Sequence, residues 1–453
     1  MLAALPRKWW IALFALAAGA ALRLWFIHAY PEVQGDPLIY GDIAKNWMLH
    51  GIYGLSGSDG IRPTLIRLPG YPLFLALSFR LFGMEHYHAV MYAQIVVDLI
   101  SCLLIAGFTA SIASPRAAWI ALWLAVLCPF TANYTATPLT ETLEIFSIAL
   151  ALFSFARLLE NPEWRWVLLL SFAFSYAAIL RPDGALLAVA FCPAIVFYGA
   201  KLWGTRLMLR MAVVCGVLSV MPFIPWAIRN WNTFHVIQPL APRYAMDPGE
   251  DTNPGFNRWT KTVCADLTCT WEIYWNANSD PMPFENLPSR AFDSPAQHEK
   301  TKELFDDYNK TTTLSRDIDD RFADLAKERV EANPLRYYVG MPLLRVANMW
   351  LRPRTELLWI ELRWWEYSKH RAETRFALAY AAINLAYIIL ALIGLYRWPR
   401  FAGAMQLFIL LRSALLATIE APEPRYTLEC FPILIALAGV AFERRGAFLR
   451  LPL

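Results

Sequence analysis

The feature that most constrains this chain is a series of apolar runs near residues 9–27, 86–109, 116–132, 139–158, 164–180, 184–200, 210–228, 374–395, 401–419 and 425–442. Each approaches the roughly 20 helical residues that a bilayer crossing requires. With 57% hydrophobic and only 17% charged residues, soluble-domain reasoning does not apply, and the chain reads as an all-α polytopic membrane protein. The first run, Trp9 to Ile27, lacks a small-residue cleavage site and reads as a retained signal anchor.

Basic residues orient these runs. With Arg7 and Lys8 cytoplasmic, the ten spans also place Arg116, Arg157, Arg165, Lys201, Arg206, Arg210, Arg397, Arg400, Arg444 and Arg445 inside, as the positive-inside rule asks. Both termini are then cytoplasmic, in an inner (plasma) membrane protein. The opposite face receives residues 28–85, the turns at Glu141 and Asp183, residues 229–375 and the turn from Glu420 to Tyr426. A net charge of +4 is accounted for by this topology, so no nucleic-acid partner is indicated. Cys102, Cys128, Cys192, Cys215 and Cys430 lie in or beside spans as small apolar residues. Cys264 and Cys269 fall in the outer segment, where a structural disulfide is the favoured reading. Asp98, inside the second span, requires a partner within the bundle.

The outer loop between the first two spans holds the richest chemistry. Gly35-Asp36-Pro37 reads as a helix start, with Asp36 capping free N–H groups. Ile39, Ile43, Trp47 and His50 then share one face, suited to lie along a membrane surface. Asp36, Tyr40, Ala44, Asn46, a glycine at the helix end, and later the string Arg67-Leu68-Pro69-Gly70-Tyr71-Pro72-Leu73-Phe74 resemble the first outer loop of glycosyltransferase families 39 and 83. These are the protein O-mannosyltransferases and lipid A aminoarabinose transferases, membrane enzymes of the GT-C type. Three further strings are similar to family elements: Thr140-Glu141-Thr142-Leu143, Pro225-Trp226 with Arg229-Asn230, and Arg425-Tyr426. One departure stands out. The mannosyltransferases place Glu directly after the loop Asp, where this chain has Pro37, and Asp42, six residues on, falls on another helix face.

The resemblance implies a GT-C bundle of about ten or more transmembrane helices, with in-plane helices in the first outer loop and a small extracytoplasmic subdomain. The expected division is an N-terminal module over 1–230, a subdomain and interfacial segment over 231–372, and C-terminal helices over 373–453. In the subdomain, Ile318, Phe322, Leu325 and Val330 predict an amphipathic helix. The run 335–351, broken by Pro342 and Arg345, is expected to return along the interface.

The implied activity is an inverting transfer of a monosaccharide from a polyprenyl-phosphate donor to a lipid, glycan or protein acceptor outside the cytoplasm. Asp36 is the expected base, with Glu141 as a second catalytic acid. Arg67, Arg229 and Arg425 are candidates for the leaving phosphate, and Tyr40, Tyr71, Arg181, Asp183, Asn230 and Tyr426 for the cavity wall. Each also has a simpler role open to it: Glu141 as a first-turn acid with Thr140 as cap, Arg181 and Asp183 as a hairpin salt bridge, Arg229 and Arg425 as interfacial anchors. No cofactor is specified. Isolated carboxylates without a His cluster leave room for a divalent cation but define no ligand set. A sugar-lipid transporter or a non-catalytic scaffold are the competing classes. Transporters gather polar groups at the midplane, whereas here they collect at one rim.

Overall fold

A computed structural model describes residues 7–443. The Arg444 and Arg445 pair, and with it the expected cytoplasmic C-terminus, lies outside the described residues. In chain order the elements are α1 (Arg7–Ala29), α2 (Asp36–His50), the strands β1 (Gly54–Gly57) and β2 (Gly60–Pro63), then α3 (Gly70–Phe82) and α4 (Tyr87–Ile112). Next come α5 (Pro115–Val126), α6 (Pro129–Asn133), α7 (Glu141–Glu160), α8 (Trp164–Leu180), α9 (Ala185–Trp203), α10 (Thr205–Val220) and α11 (Phe223–Phe234). The remainder comprises α12 (Pro254–Val263), the short α13 (Leu267–Cys269), α14 (Pro295–Thr311), α15 (Arg316–Ala332), α16 (Met341–Leu351), α17 (Arg371–Tyr396), α18 (Ala402–Leu416) and α19 (Phe431–Val440).

All ten apolar runs are helical. Among the described residues six spans are long and apolar enough to cross a membrane, and a seventh is α5 with α6, bent by 42° at Leu127-Cys128. The helices α8, α18 and α19 are shorter, at 17, 15 and 10 residues.

The chain divides into two compact units. One holds the residues up to Glu250, Leu385–Leu411 and the residues from Leu428 on; the other holds Asp251–Asn384 and Arg412–Thr427. The first boundary therefore falls later than residue 230. The reason is local: the chain after α11 stays attached to the opening loop, where Asp247 accepts from the Leu65 N–H at 2.8 Å and from the Thr64 hydroxyl at 3.1 Å.

In the first unit α7 is the central helix, with 83% of its apolar window buried against 28% for α1. Any polar residue in its first turns is thereby delivered to the interior. Asp98 on α4 finds its partner in Arg23 of α1, whose Nε donates at 2.6 Å and whose Nη1 also donates to the carbonyls of Gly19 and Val126. The pair is a helix-to-helix tie, because every donor and acceptor is used within the bundle.

The opening loop contains a hairpin that periodicity did not predict. Strands β1 and β2 pair antiparallel with Leu55 opposite Arg62. Asp42 latches this hairpin to α2 by accepting from the Ser56 N–H at 2.6 Å and the Ser56 hydroxyl at 2.7 Å. Burial acts to raise the Asp42 pKa, but the two Ser56 donors and Lys45 hold it below the ordinary carboxylate value. Ile43 and Trp47 do not lie on an open face of α2. With Ile39 they pack on Tyr53, Leu65, Leu68 and Trp226, and the apolar residues left exposed on α2 are Leu38 and Leu49.

The second unit is built on an aromatic core of Phe256, Trp259, Phe305, Tyr308 and Phe322, to which α15 contributes Ile318, Phe322 and Leu325 as its spacing predicts. Each such side chain, fully buried, contributes about 1.5–3 kcal/mol. Cys264 and Cys269 are disulfide-bonded. Arg329 on α15 is fully buried and donates to Thr262, Gln297 and the carbonyls of Ala291 and Arg290, tying three segments together.

Candidate functional site

The site is assembled in the first unit around the start of α2. Gly35, with φ of 63°, is the residue preceding the helix, and no side chain caps it. Asp36 is thus the first helical residue and not its cap. Its Oδ1 instead accepts from Arg67 Nη2 at 2.7 Å, and both side chains are partly exposed, at 30% and 20%. Pro69 and Gly70 turn the chain from Arg67 into α3. A Cβ at Gly70 would lie 2.8 Å from the Ile179 carbonyl oxygen, so only glycine lets α3 approach the end of α8 this closely.

A second constellation is centred on Arg181, in the turn after α8. Its guanidinium lies 3.7 Å from Glu141, 3.6 Å from Glu144, 3.6 Å from Asp183 and 3.8 Å from Glu429. The carboxylates of Glu141, Glu144 and Glu429 are almost wholly buried. Thr140 precedes α7 but gives no side-chain cap. The expected hairpin salt bridge between Arg181 and Asp183 is therefore one contact of four.

Tyr40 stands between the two constellations. Arg67 stacks on its ring with Cζ 5.6 Å from the centroid, and Tyr71 meets it edge-on at 5.1 Å. Burial, opposed by the charges of Arg67 and Arg181 and aided by those of Asp36 and Glu141, pushes its hydroxyl up to about 12. Tyr40 is thus a neutral hydroxyl within the electrostatic reach of both groups.

Sequence reasoning missed Glu144 and Glu429. The signal for Glu144 was present: three residues after Glu141, it occupies the same helix face. Glu429 carried none, since Arg181, which it approaches, is far from it in the chain.

Other expected site residues are placed differently. Tyr71 is fully buried, and its hydroxyl donates to Gln94 at 2.8 Å; Gln94 in turn donates to the Thr137 carbonyl at 2.8 Å. Tyr71 therefore positions the segment leading to Glu141 rather than lining open space. Arg229 donates from Nη2 to the Tyr53 carbonyl at 2.6 Å and from Nη1 to the Thr64 carbonyl at 2.7 Å and to Asn230 Oδ1 at 2.9 Å. It fixes both ends of the hairpin. Asn230 is fully buried and donates to the Gln238 carbonyl at 2.7 Å. Arg425 and Tyr426 lie in the second unit, where both engage Glu423, Arg425 at 2.9 Å and the Tyr426 hydroxyl at 2.9 Å.

A cavity of about 590 Å³ opens in the first unit beside the hairpin, walled by Trp47, Tyr53, Leu73, Phe172, Tyr176 and Trp226. Its lining is apolar and aromatic, with Arg229 at its margin. Among the described residues no group of three or more His, Cys, Asp or Glu is arranged to hold a metal ion.

Comparison with known proteins agrees with this architecture. Over 96% of its length the chain superposes on the archaeal oligosaccharyltransferase AglB from Archaeoglobus fulgidus, solved with an inhibitory peptide and a dolichol-phosphate, at 13% identity and a TM-score of 0.50. It spans about half of that protein, covering 50% of it. ArnT from Cupriavidus metallidurans, solved bound to undecaprenyl phosphate, matches over 96% of this chain and 77% of its own at 16% identity, with a TM-score of 0.41. By sequence the chain matches no curated protein. The fold is that of the GT-C glycosyltransferases, a membrane-embedded helical class. Within it, residues 63–228 match the dolichyl-phosphate-mannose-protein mannosyltransferase family, the stretch that carries Arg67, Glu141 and Arg181.

Proposed function

We propose that this protein is an inverting glycosyltransferase that moves a monosaccharide from a polyprenyl-phosphate donor to an acceptor hydroxyl or amine outside the cytoplasm. The observation that carries the reading is the Asp36–Arg67 pair, 2.7 Å apart and partly open, with Arg67 stacked on the Tyr40 ring. The mannosyltransferase likeness over 63–228 and the GT-C fold supply the class of chemistry.

In this mechanism Asp36 accepts the proton of the acceptor group. The freed lone pair attacks the anomeric carbon from the face opposite the phosphate, and the anomeric C–O bond breaks. The electron pair leaves with the lipid phosphate. One displacement inverts the centre. Arg67 orients Asp36 and stands ready to meet negative charge, as a planar fork of donors can. Glu141 and Arg181 define the polar wall on the other side of Tyr40. The apolar cavity beside Trp47 and Trp226 suits an isoprenoid chain better than water, since nearly all its walls are apolar or aromatic.

The test is purified protein in lipid nanodiscs with a panel of undecaprenyl-phosphate monosaccharides. Release of undecaprenyl phosphate coupled to sugar transfer is expected with one donor. Wild-type rates in Asp36→Asn would remove Asp36 as base, and sugar-lipid translocation without any transfer would replace the enzyme with a transporter.

A further inference from the structure

The stretch 335–351 of the second unit presents an uncovered apolar surface. Its helical part is the turn Arg336–Gly340 and α16, 16 residues or about 24 Å of helix. Leu335, Tyr338, Val339, Leu343, Leu344 and Leu351 are exposed, Leu343 at 65%. The two charged residues of the stretch are turned away from that surface. Arg336 pairs with Asp293, and Arg345 donates to the carbonyls of Lys261 at 2.9 Å and Ala417 at 3.1 Å. An uncharged leucine face of this extent facing water would be strongly unfavourable.

Its hydrogen bonds fix its depth relative to two apolar helices. Arg345 meets Ala417, one residue past the end of α18, while Trp350 Nε1 donates to Ser413 Oγ, a turn further in, at 3.2 Å. The Trp350 carbonyl accepts from Asn384 at 2.7 Å, well inside the membrane-spanning α17. The stretch therefore descends alongside these helices as it proceeds. It is too short to cross a hydrocarbon core of about 30 Å. Directly after it, Arg352, Pro353, Arg354 and Thr355 are buried, with Arg354 donating to Asn384 at 3.2 Å and to the Pro424 carbonyl at 2.7 Å. Irregular backbone at membrane depth is tolerated only where protein satisfies its polar groups in this way. The chain then climbs back to α17 through the exposed Trp359, Trp365 and Tyr367, residue types that favour the membrane–water boundary.

We propose that 335–351 is a half-inserted, re-entrant element whose exposed face is bathed by the acyl chains of the leaflet that α17 enters, with Leu351 its deepest point. The surface thus fits bilayer lipid, and it seats the second unit in the membrane by its own contacts as well as through α17. This inference does not depend on the proposed transferase activity.

Nitroxide labels at Leu343→Cys, Leu344→Cys and Leu351→Cys in nanodiscs test it, with a label on the exposed Lys302 of α14 as aqueous reference. Collision with oxygen relative to a water-soluble nickel chelate is expected to be several-fold higher at the three leucine positions than at the reference, and highest at Leu351. Chelate-dominated collisions at all three would overturn the proposal, as would exclusion of both agents, the sign of a covering protein or second copy. Labelling of Leu351→Cys by an impermeant reagent from the face opposite α14 would show a full span and overturn it equally. Because substitution can disturb folding, the unaltered protein is also illuminated with an acyl-chain diazirine phospholipid. Adducts are expected on peptides covering 335–351, and their absence there, with adducts on α17 present, would count against it.

Discussion

Arg67 and Arg181 are both arginines on short connecting turns of the first unit, yet they occupy different electrostatic situations. Arg67 meets Asp36 at close hydrogen-bond distance in a partly open setting. Arg181 stands 3.6–3.8 Å from each of four carboxyl groups, three of them buried. A tight, partly solvated pair contributes little to stability, typically under about 1 kcal/mol. Arg181 is as exposed as Arg67, at 21% against 20%, but a cation that compensates several buried acids at once has the reverse character, because its removal strands their charge in a low-dielectric interior. Under the proposed function, the first arrangement suits chemistry and the second suits holding the wall.

The largest effect is expected from Arg181→Ala. It should destabilise the first unit by about 3–5 kcal/mol, read as a fall in the thermal unfolding midpoint in detergent. A midpoint within one degree of wild type would erase the distinction. Asp36→Asn should act in the other direction: activity lower by about 10²–10⁴-fold, the usual contribution of a general base, with unfolding nearly unchanged. Rate and stability falling together would assign Asp36 to the scaffold. Arg229→Lys comes next. A lysine cannot reach two carbonyls and stack on Tyr53 and Trp226 at once, so we expect a loss of about 1–3 kcal/mol and faster amide exchange in the hairpin.

The smallest effect concerns the Asp42 latch. Because its folded pKa is depressed, its contribution is present above the unfolded carboxylate value of about 3.9 and is lost as pH falls through the lower folded value. Exchange at the Ser56 amide should therefore rise at acid pH beyond the change expected of an isolated peptide. Asp42→Asn should flatten that rise, and an unchanged profile would show that Ser56 is held by other means.

How much of this was legible beforehand differs by element. The ten helical runs followed from composition alone, and α15 from its apolar spacing. The Asp98 partner was expected but unnamed, since nothing local singles out Arg23 among the arginines. The reading of Asp36 as a cap failed for a local reason: Gly35 takes the position before the helix, and Arg67, 31 residues on, draws the carboxylate away. Arg229 was selected for its outer-face charge, but three-dimensional folding gave its donors to two strand-end carbonyls.

By itself the sequence determined that this chain is a helical membrane protein whose polar motifs gather in the connecting turns, because hydrophobic transfer and helical period act over neighbouring residues. Only the tertiary structure decided which charges meet. Glu429 joins Glu141 and Glu144 around Arg181, and Asp36 turns to Arg67, since ion pairs and hydrogen bonds form between groups that packing brings within a few ångströms whatever their separation along the chain.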